Sequence, residues 1–153
     1  MIKIITAAQM QELERRTIGE ARIPATTLME RAGSGVATCI EQWMGTVSGK
    51  TITVVCGKGN NGGDGFVAAR LLRRRRANVR VLAMASLPEL SRDAALMYRQ
   101  FVKVAGKSAV IPYRSKEVSH SLFQESDLLV DALLGTGLSS TVTGRYGEVI
   151  QSM

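Results

Sequence analysis

The chain has 153 residues, 45% of them hydrophobic and 22% charged, which rules out a disordered chain and suits one globular domain. No apolar run approaches the roughly 18–20 residues that a membrane helix needs, so no membrane partner is expected. The net charge of +7, from 20 basic and 13 acidic residues, suits an anionic ligand.

Much of that charge is one block, Arg73-Arg74-Arg75-Arg76, at the end of a predicted helix, where cations complement the helix dipole. Aromatic residues are only 5% and do not interleave with the arginines, so nucleic-acid binding is not expected. Cys39 and Cys56 show neither metal-type spacing nor a disulfide framework and read as buried thiols. His120 lies in a polar stretch with no nucleophile motif and reads as a surface residue. The start, Met1-Ile2-Lys3-Ile4-Ile5, has too short an apolar part for an export signal, and a cytoplasmic protein is expected.

The first 47 residues or so predict two helices. Thr6 caps the first, with Met10, Leu13 and Thr17 on one face and an end near Gly19. Pro24 opens the second. Leu28, Ala32, Val36, Ile40 and Trp43 recur at helical spacing, which predicts a buried stripe, and Gly33 and Gly35 imply close packing against another backbone.

From Thr51 the pattern changes to alternation of strands and helices. Thr51–Cys56 predicts a strand buried on both faces, and a helix is expected from about Asp64 to Arg76. Asn78–Met84 predicts the second strand, and Ser91 caps a helix closing at Gly106. A short strand at Ala109–Ile111, a helix over Lys116–Gln124 and a strand over Asp127–Asp131 follow. This order predicts a three-layer αβα domain with a mainly parallel sheet, its ligands at the carboxyl ends of the strands.

The loop after the first strand is Gly57-Lys58-Gly59-Asn60-Asn61-Gly62-Gly63-Asp64-Gly65. It matches G-x-G-x-x-G, but the dehydrogenase reading also needs an acidic residue at the end of the next strand. That strand ends Ala83-Met84-Ala85-Ser86, without one. A Walker loop is excluded, because no Gly-Lys-Ser/Thr triplet follows. Asparagines and an aspartate among glycines can present N–H groups to an anion at a helix N-terminus, or oxygens to a hard cation. Asp64 reads as the cap of the next helix, as a ligand contact, or as both.

The second glycine loop is Asp131-Ala132-Leu133-Leu134-Gly135-Thr136-Gly137-Leu138-Ser139-Ser140-Thr141. Asp131 ends an apolar strand, where a cation or N–H donors are expected to neutralise it. Gly135 and Gly137 let a phosphate approach the backbone, and the hydroxyls can bind it.

The runs Val54–Leu72 and Asp131–Leu138, with the lead-in Leu28-Met29-Glu30-Arg31-Ala32-Gly33, closely resemble the NAD(P)H-hydrate epimerase family, also called the YjeF N-terminal domain. The resemblance runs over essentially the whole chain, 1–153, and implies a Rossmann-like fold. It implies hydrated NADH or NADPH as substrate, with interconversion of its R and S epimers; the S epimer then passes to a separate dehydratase. Asn60, Asn61, Gly62, Gly63 and Asp64 would contact the dinucleotide, with Gly135, Thr136, Gly137, Leu138, Ser139, Ser140 and Thr141. Asn61 and Asp131 would hold a potassium ion.

The family continues through an Asp-Ile-Pro-Ser-Gly motif that supplies the proton-transfer aspartate and a further cation ligand. No such motif occurs here, so the domain is expected to be C-terminally incomplete, with its catalytic residue past Met153 and its uncovered sheet edge favouring a homodimer or other self-association. Some relatives serve as scaffolds, so a non-catalytic nucleotide- or RNA-binding role is the alternative.

Overall fold

The computed structural model describes residues 4–138 and 140–153. Two helices lead, α1 (Ala7–Gly19) and α2 (Ala25–Met44). Then come β1 (Thr51–Cys56), α3 (Asn60–Arg74), β2 (Asn78–Ala83), α4 (Arg92–Ala105), β3 (Val110–Pro112), α5 (Lys116–Gln124), β4 (Leu128–Ala132) and α6 (Gly144–Ser152). The four strands are parallel, in the order β3-β2-β1-β4.

Alternation along the strands divides the core in two. Ile52, Val54, Val79 and Val81 face a layer that includes Phe66, Leu72, Met97 and Phe101 of α3 and α4. Val55 and Leu82 face the opposite layer, with Phe123 of α5 and Val149 of α6. Every residue of β1 after Thr51 is buried, as a strand central to a two-sided sheet must be. The three-layer αβα expectation holds. Thr53, buried in β1, has its hydroxyl 2.7 Å from that of Ser126.

Three helix caps formed where the sequence puts them. Thr6 and Gln9 form a capping box on α1, Ser91 accepts from the Ala94 N–H, and Gly106 ends α4 at φ +83°. The arginine block is a helix end: Arg73 donates to the Ala77 carbonyl, and Arg75 donates to the Ala37 carbonyl and pairs with Glu41. His120 is exposed, as expected.

Helix α2 departs from the reading of its stripe. Its buried residues are Met29, Gly33, Ala37 and Ile40; Ile40 is buried as expected, and the other three lie one position round from the expected face. Ala32 and Val36 are exposed, and Trp43 is 75% exposed. The reason is close helix packing. A Cβ on Gly33 would come within 2.5 Å of Val67 of α3, so the helix must place Gly33 at that contact, which turns Ala32, Val36 and Trp43 outward. Gly35, by contrast, has open space around it. The same rotation exposes Cys39, against expectation, while Cys56 is buried and its thiol is pushed up by desolvation.

Helix α3 also begins four residues earlier than predicted, at Asn60 with Gly59 as its N-cap, and ends at Arg74. Asp64 is therefore inside the helix and is not its cap. Glycine lowers helix propensity by about 1 kcal/mol, which is why the sequence reads as loop. Packing overrides that preference. An added Cβ at Gly62 would overlap the Gly57 carbonyl, and one at Gly65 would come within 2.5 Å of Ala132 in β4.

Candidate functional site

The chain runs outward from β1 to β2 and β3, then returns to place β4 on the other side of β1. In an open parallel sheet this reversal leaves a crevice at the carboxyl ends of the two diverging strands. A cleft of about 720 Å³ lies there, lined by residues that follow β1 and β4.

The two glycine loops meet beneath it. The Gly57 N–H donates to the Ala132 carbonyl at 3.0 Å, and an added Cβ at Gly57 would overlap the Leu133 carbonyl. Asn61 Nδ2 donates to the Leu134 carbonyl at 3.1 Å, which leaves Asn61 Oδ1 free to accept. Asn60 Oδ1 accepts from the Ser91 hydroxyl at 3.2 Å, so its Nδ2 is left as a donor. The N–H groups of Asn60, Asn61 and Gly62 open α3 and have no partner within the helix. An anion at this point meets those N–H groups and the positive end of the helix dipole.

Of the residues singled out from the sequence, Asn60, Asn61, Asp64, Gly135, Thr136, Gly137, Leu138, Ser140 and Thr141 line the cleft. Gly62 and Gly63 do not line it. They are buried within the first turn of α3, where neighbouring atoms occupy the space a side chain would take. Ser139 lies outside the described residues. Asp131 is exposed at the end of β4 and is not among the lining residues. The penalty of burial therefore does not act on it; of the two neutralising partners expected, an N–H is present, from Leu133 at 2.9 Å.

Residues missed from the sequence are Lys58, Val142, Thr143, Tyr146 and, from α1, Gln11 and Glu14. Tyr146 accepts from the Lys58 N–H at 3.3 Å and so fixes α6 against the first loop. Lys58, Val142, Thr143 and Tyr146 lie within or just after the two loops in sequence, whereas Gln11 and Glu14 carry no local pattern, because they reach the cleft through the packing of α1, distant in sequence.

Asp64 is half-buried, and no cation or N–H answers its carboxylate among the described residues. Burial, with the Glu14 charge adding to it, pushes the Asp64 carboxyl up to about 6. A carboxyl whose folded value exceeds its unfolded one costs nothing below pH ~4 and weakens the fold as pH rises through 6. Asp64→Asn is expected to raise the Tm by roughly 2–4 °C at pH 7.5, after discounting for solvent screening, and to leave it unchanged at pH 3.5. Thermal melts across that range check the sign; a gain that persists at pH 3.5 would show that charge is not the cause.

Fold and cleft together define a doubly wound α/β domain with a cleft at a helix N-terminus. The YjeF-related protein N-terminus family model matches residues 25–153, and the chain belongs to that family. It is 36% identical over 149 residues to an NAD(P)H-hydrate epimerase of Rhodopirellula baltica, covering 97% of this chain and 58% of that protein. It is 37% identical over 158 residues to an NAD(P)H-hydrate epimerase of Rhodobacter capsulatus, covering all of this chain and 71% of that one. The crystal structure of yeast ynu0 superposes with a TM-score of 0.85 at 23% identity, over 99% of this chain and 64% of that chain, which shows a common fold. The chain thus spans less than two-thirds of the Rhodopirellula relative's length. Among the described residues no helix is long and apolar enough to cross a membrane.

Proposed function

We propose that this chain binds hydrated NADH or NADPH and serves the interconversion of its R and S epimers. The observation that carries the reading is the cleft at the β1/β4 reversal, where the first turn of α3 and the hydroxyl-rich loop after β4 line one space. A pyrophosphate fits the free N–H groups of α3, the Lys58 side chain and the Thr136, Ser140, Thr141 and Thr143 hydroxyls. The names of the relatives support the nicotinamide substrate.

A dehydrogenase is not favoured. Glu89, the carboxylate nearest the end of β2, is taken up by a capping box with Ser86. An RNA-binding scaffold is not favoured either. The arginine block sits at the far end of α3 from the cleft, with two of its guanidiniums bound to backbone carbonyls.

Asn61, in the first turn of α3, and Asp131, near the end of β4, offer the oxygens that a potassium ion would take. Asn61 and Asp131 are hydrogen-bonded to consecutive residues of the turn after β4, Leu134 and Leu133, and each keeps a free oxygen. These two residues would hold the ion, which would screen charge beside the phosphates when bound. Self-association is proposed from the exposed Met10, Leu13, Val36 and Trp43 and from β4, an edge strand among the described residues. A single monomeric species in sedimentation would remove it.

The direct test of function is chromatographic: hydrated NADPH enriched in one epimer is incubated with the full-length protein, and appearance of the other is followed. Exchange no faster than in buffer would overturn the proposal.

A further inference from the structure

Helix α1 buries none of its residues, and Met10, Leu13 and Ile18 all face outward. A 13-residue helix is marginal in isolation, so it needs a reason to be held against the domain. The hold lies at the cleft. Gln11 Nε2 donates to the Thr136 carbonyl at 2.8 Å, and Glu14, three residues on and so on the same helical face, lines the cleft with it.

Glu14 stands apart from the other acids of its helix. Glu12 pairs with Arg15 at 2.7 Å and Glu20 with Arg16 at 3.2 Å, whereas Glu14 has no ion pair or hydrogen bond among the described residues. Asp64, which lines the same cleft and feels the Glu14 charge, sits one turn deeper into α3 than Asn60 and Asn61. The cleft thus has two regions of opposite character. One, at the first turn of α3 and the loop after β4, offers N–H groups, hydroxyls and Lys58; the other offers carboxylates.

A dinucleotide has a matching division. Its phosphates are repelled by carboxylates and must lie at the donor region. Its ribose hydroxyls and carboxamide are uncharged donors, and a carboxylate, which only accepts, binds such groups more strongly than a neutral oxygen does.

We propose that Glu14 is a ligand-binding residue of this cleft, accepting hydrogen bonds from the uncharged, hydroxyl- or amide-bearing part of the dinucleotide, with Gln11 pinning α1 to the second loop. The proposal rests on the nicotinamide reading above and adds α1 to the site. It gives Glu14 effects of opposite sign on two probes. Removing its charge takes hydrogen bonds from hydrated NADPH but relieves repulsion of a bare anion.

The test is calorimetric titration of the wild-type chain, Glu14→Ala and Glu14→Gln with hydrated NADPH and with inorganic pyrophosphate. Glu14→Ala is expected to weaken hydrated NADPH by about tenfold or more, while pyrophosphate binds equally or more tightly. Glu14→Gln, which keeps a neutral acceptor, falls between. Both variants lie on an exposed helix face, so folding is not at risk. Hydrated NADPH affinity within about twofold of wild type in Glu14→Ala, or equal weakening of both probes, overturns the role of Glu14 and leaves the proposed function standing. A wild-type chain that binds pyrophosphate but not hydrated NADPH overturns the nicotinamide reading, and this inference with it.

Discussion

Gly62→Ala is expected to lower the Tm by roughly 3–10 °C and to abolish pyrophosphate binding, whereas Gly59→Ala lowers the Tm far less. The two glycines are three residues apart, Gly59 as the N-cap of α3 and Gly62 in its first turn, yet their surroundings differ. A methyl group on Gly62 would overlap the carbonyl oxygen of Gly57, an atom of the backbone that cannot swing away. Relief would push the first turn of α3 off the end of β1, and with it the N–H groups that open the helix. Gly59 has open space at its Cβ position and an ordinary φ of −91°, so alanine fits. Differential scanning calorimetry of the two variants makes the comparison. Equal losses would show that the loop needs glycine for flexibility, not for close approach.

Asn61→Ala should separate binding from stability. Alanine is the better helix former, and the residue is only partly buried, so the Tm should stay within about 2–4 °C of wild type. Binding should suffer far more. The substitution removes the bond that ties α3 to the Leu134 carbonyl, along with the free oxygen proposed for the cation. Affinity for hydrated NADPH is expected to fall roughly 10–100-fold. The wild-type chain should lose affinity when potassium is replaced by sodium, and the variant should be indifferent to the exchange. Titrations in the two salts check both statements, and a variant as sensitive to potassium as wild type would remove Asn61 from the cation site.

The strands and most helices were legible from local pattern. Thr51–Cys56 and Lys116–Gln124 match the sequence reading at both ends, and β2, β3 and β4 lie within a residue of it. β-branched runs and cap residues such as Thr6, Ser91 and Gly106 act on their own immediate backbone, so their signal survives without tertiary information. That Asn60, Asn61 and the second glycine loop come together at one edge of the sheet was legible for a similar reason, since both stretches follow apolar parallel strands at their carboxyl ends.

Three features were not legible. The buried face of α2 was misread because hydrophobicity ranks Val36 and Trp43 above Gly33 and Ala37, whereas contact with Val67 favours the smallest residue. The first turn of α3 read as loop because Asn-Asn-Gly-Gly has little helix propensity of its own. The wall formed by Gln11 and Glu14 left no signal at all, since α1 meets the cleft over a separation of 125 residues between Gln11 and Thr136.

Element type and the strand-end position of two polar loops were thus set by residues acting on their neighbours a few positions away. Which face each helix buries, where α3 starts and which side chains share the cleft depend on how closely two backbones can approach. That distance is fixed by atoms far apart in the chain, so no window of sequence contains it.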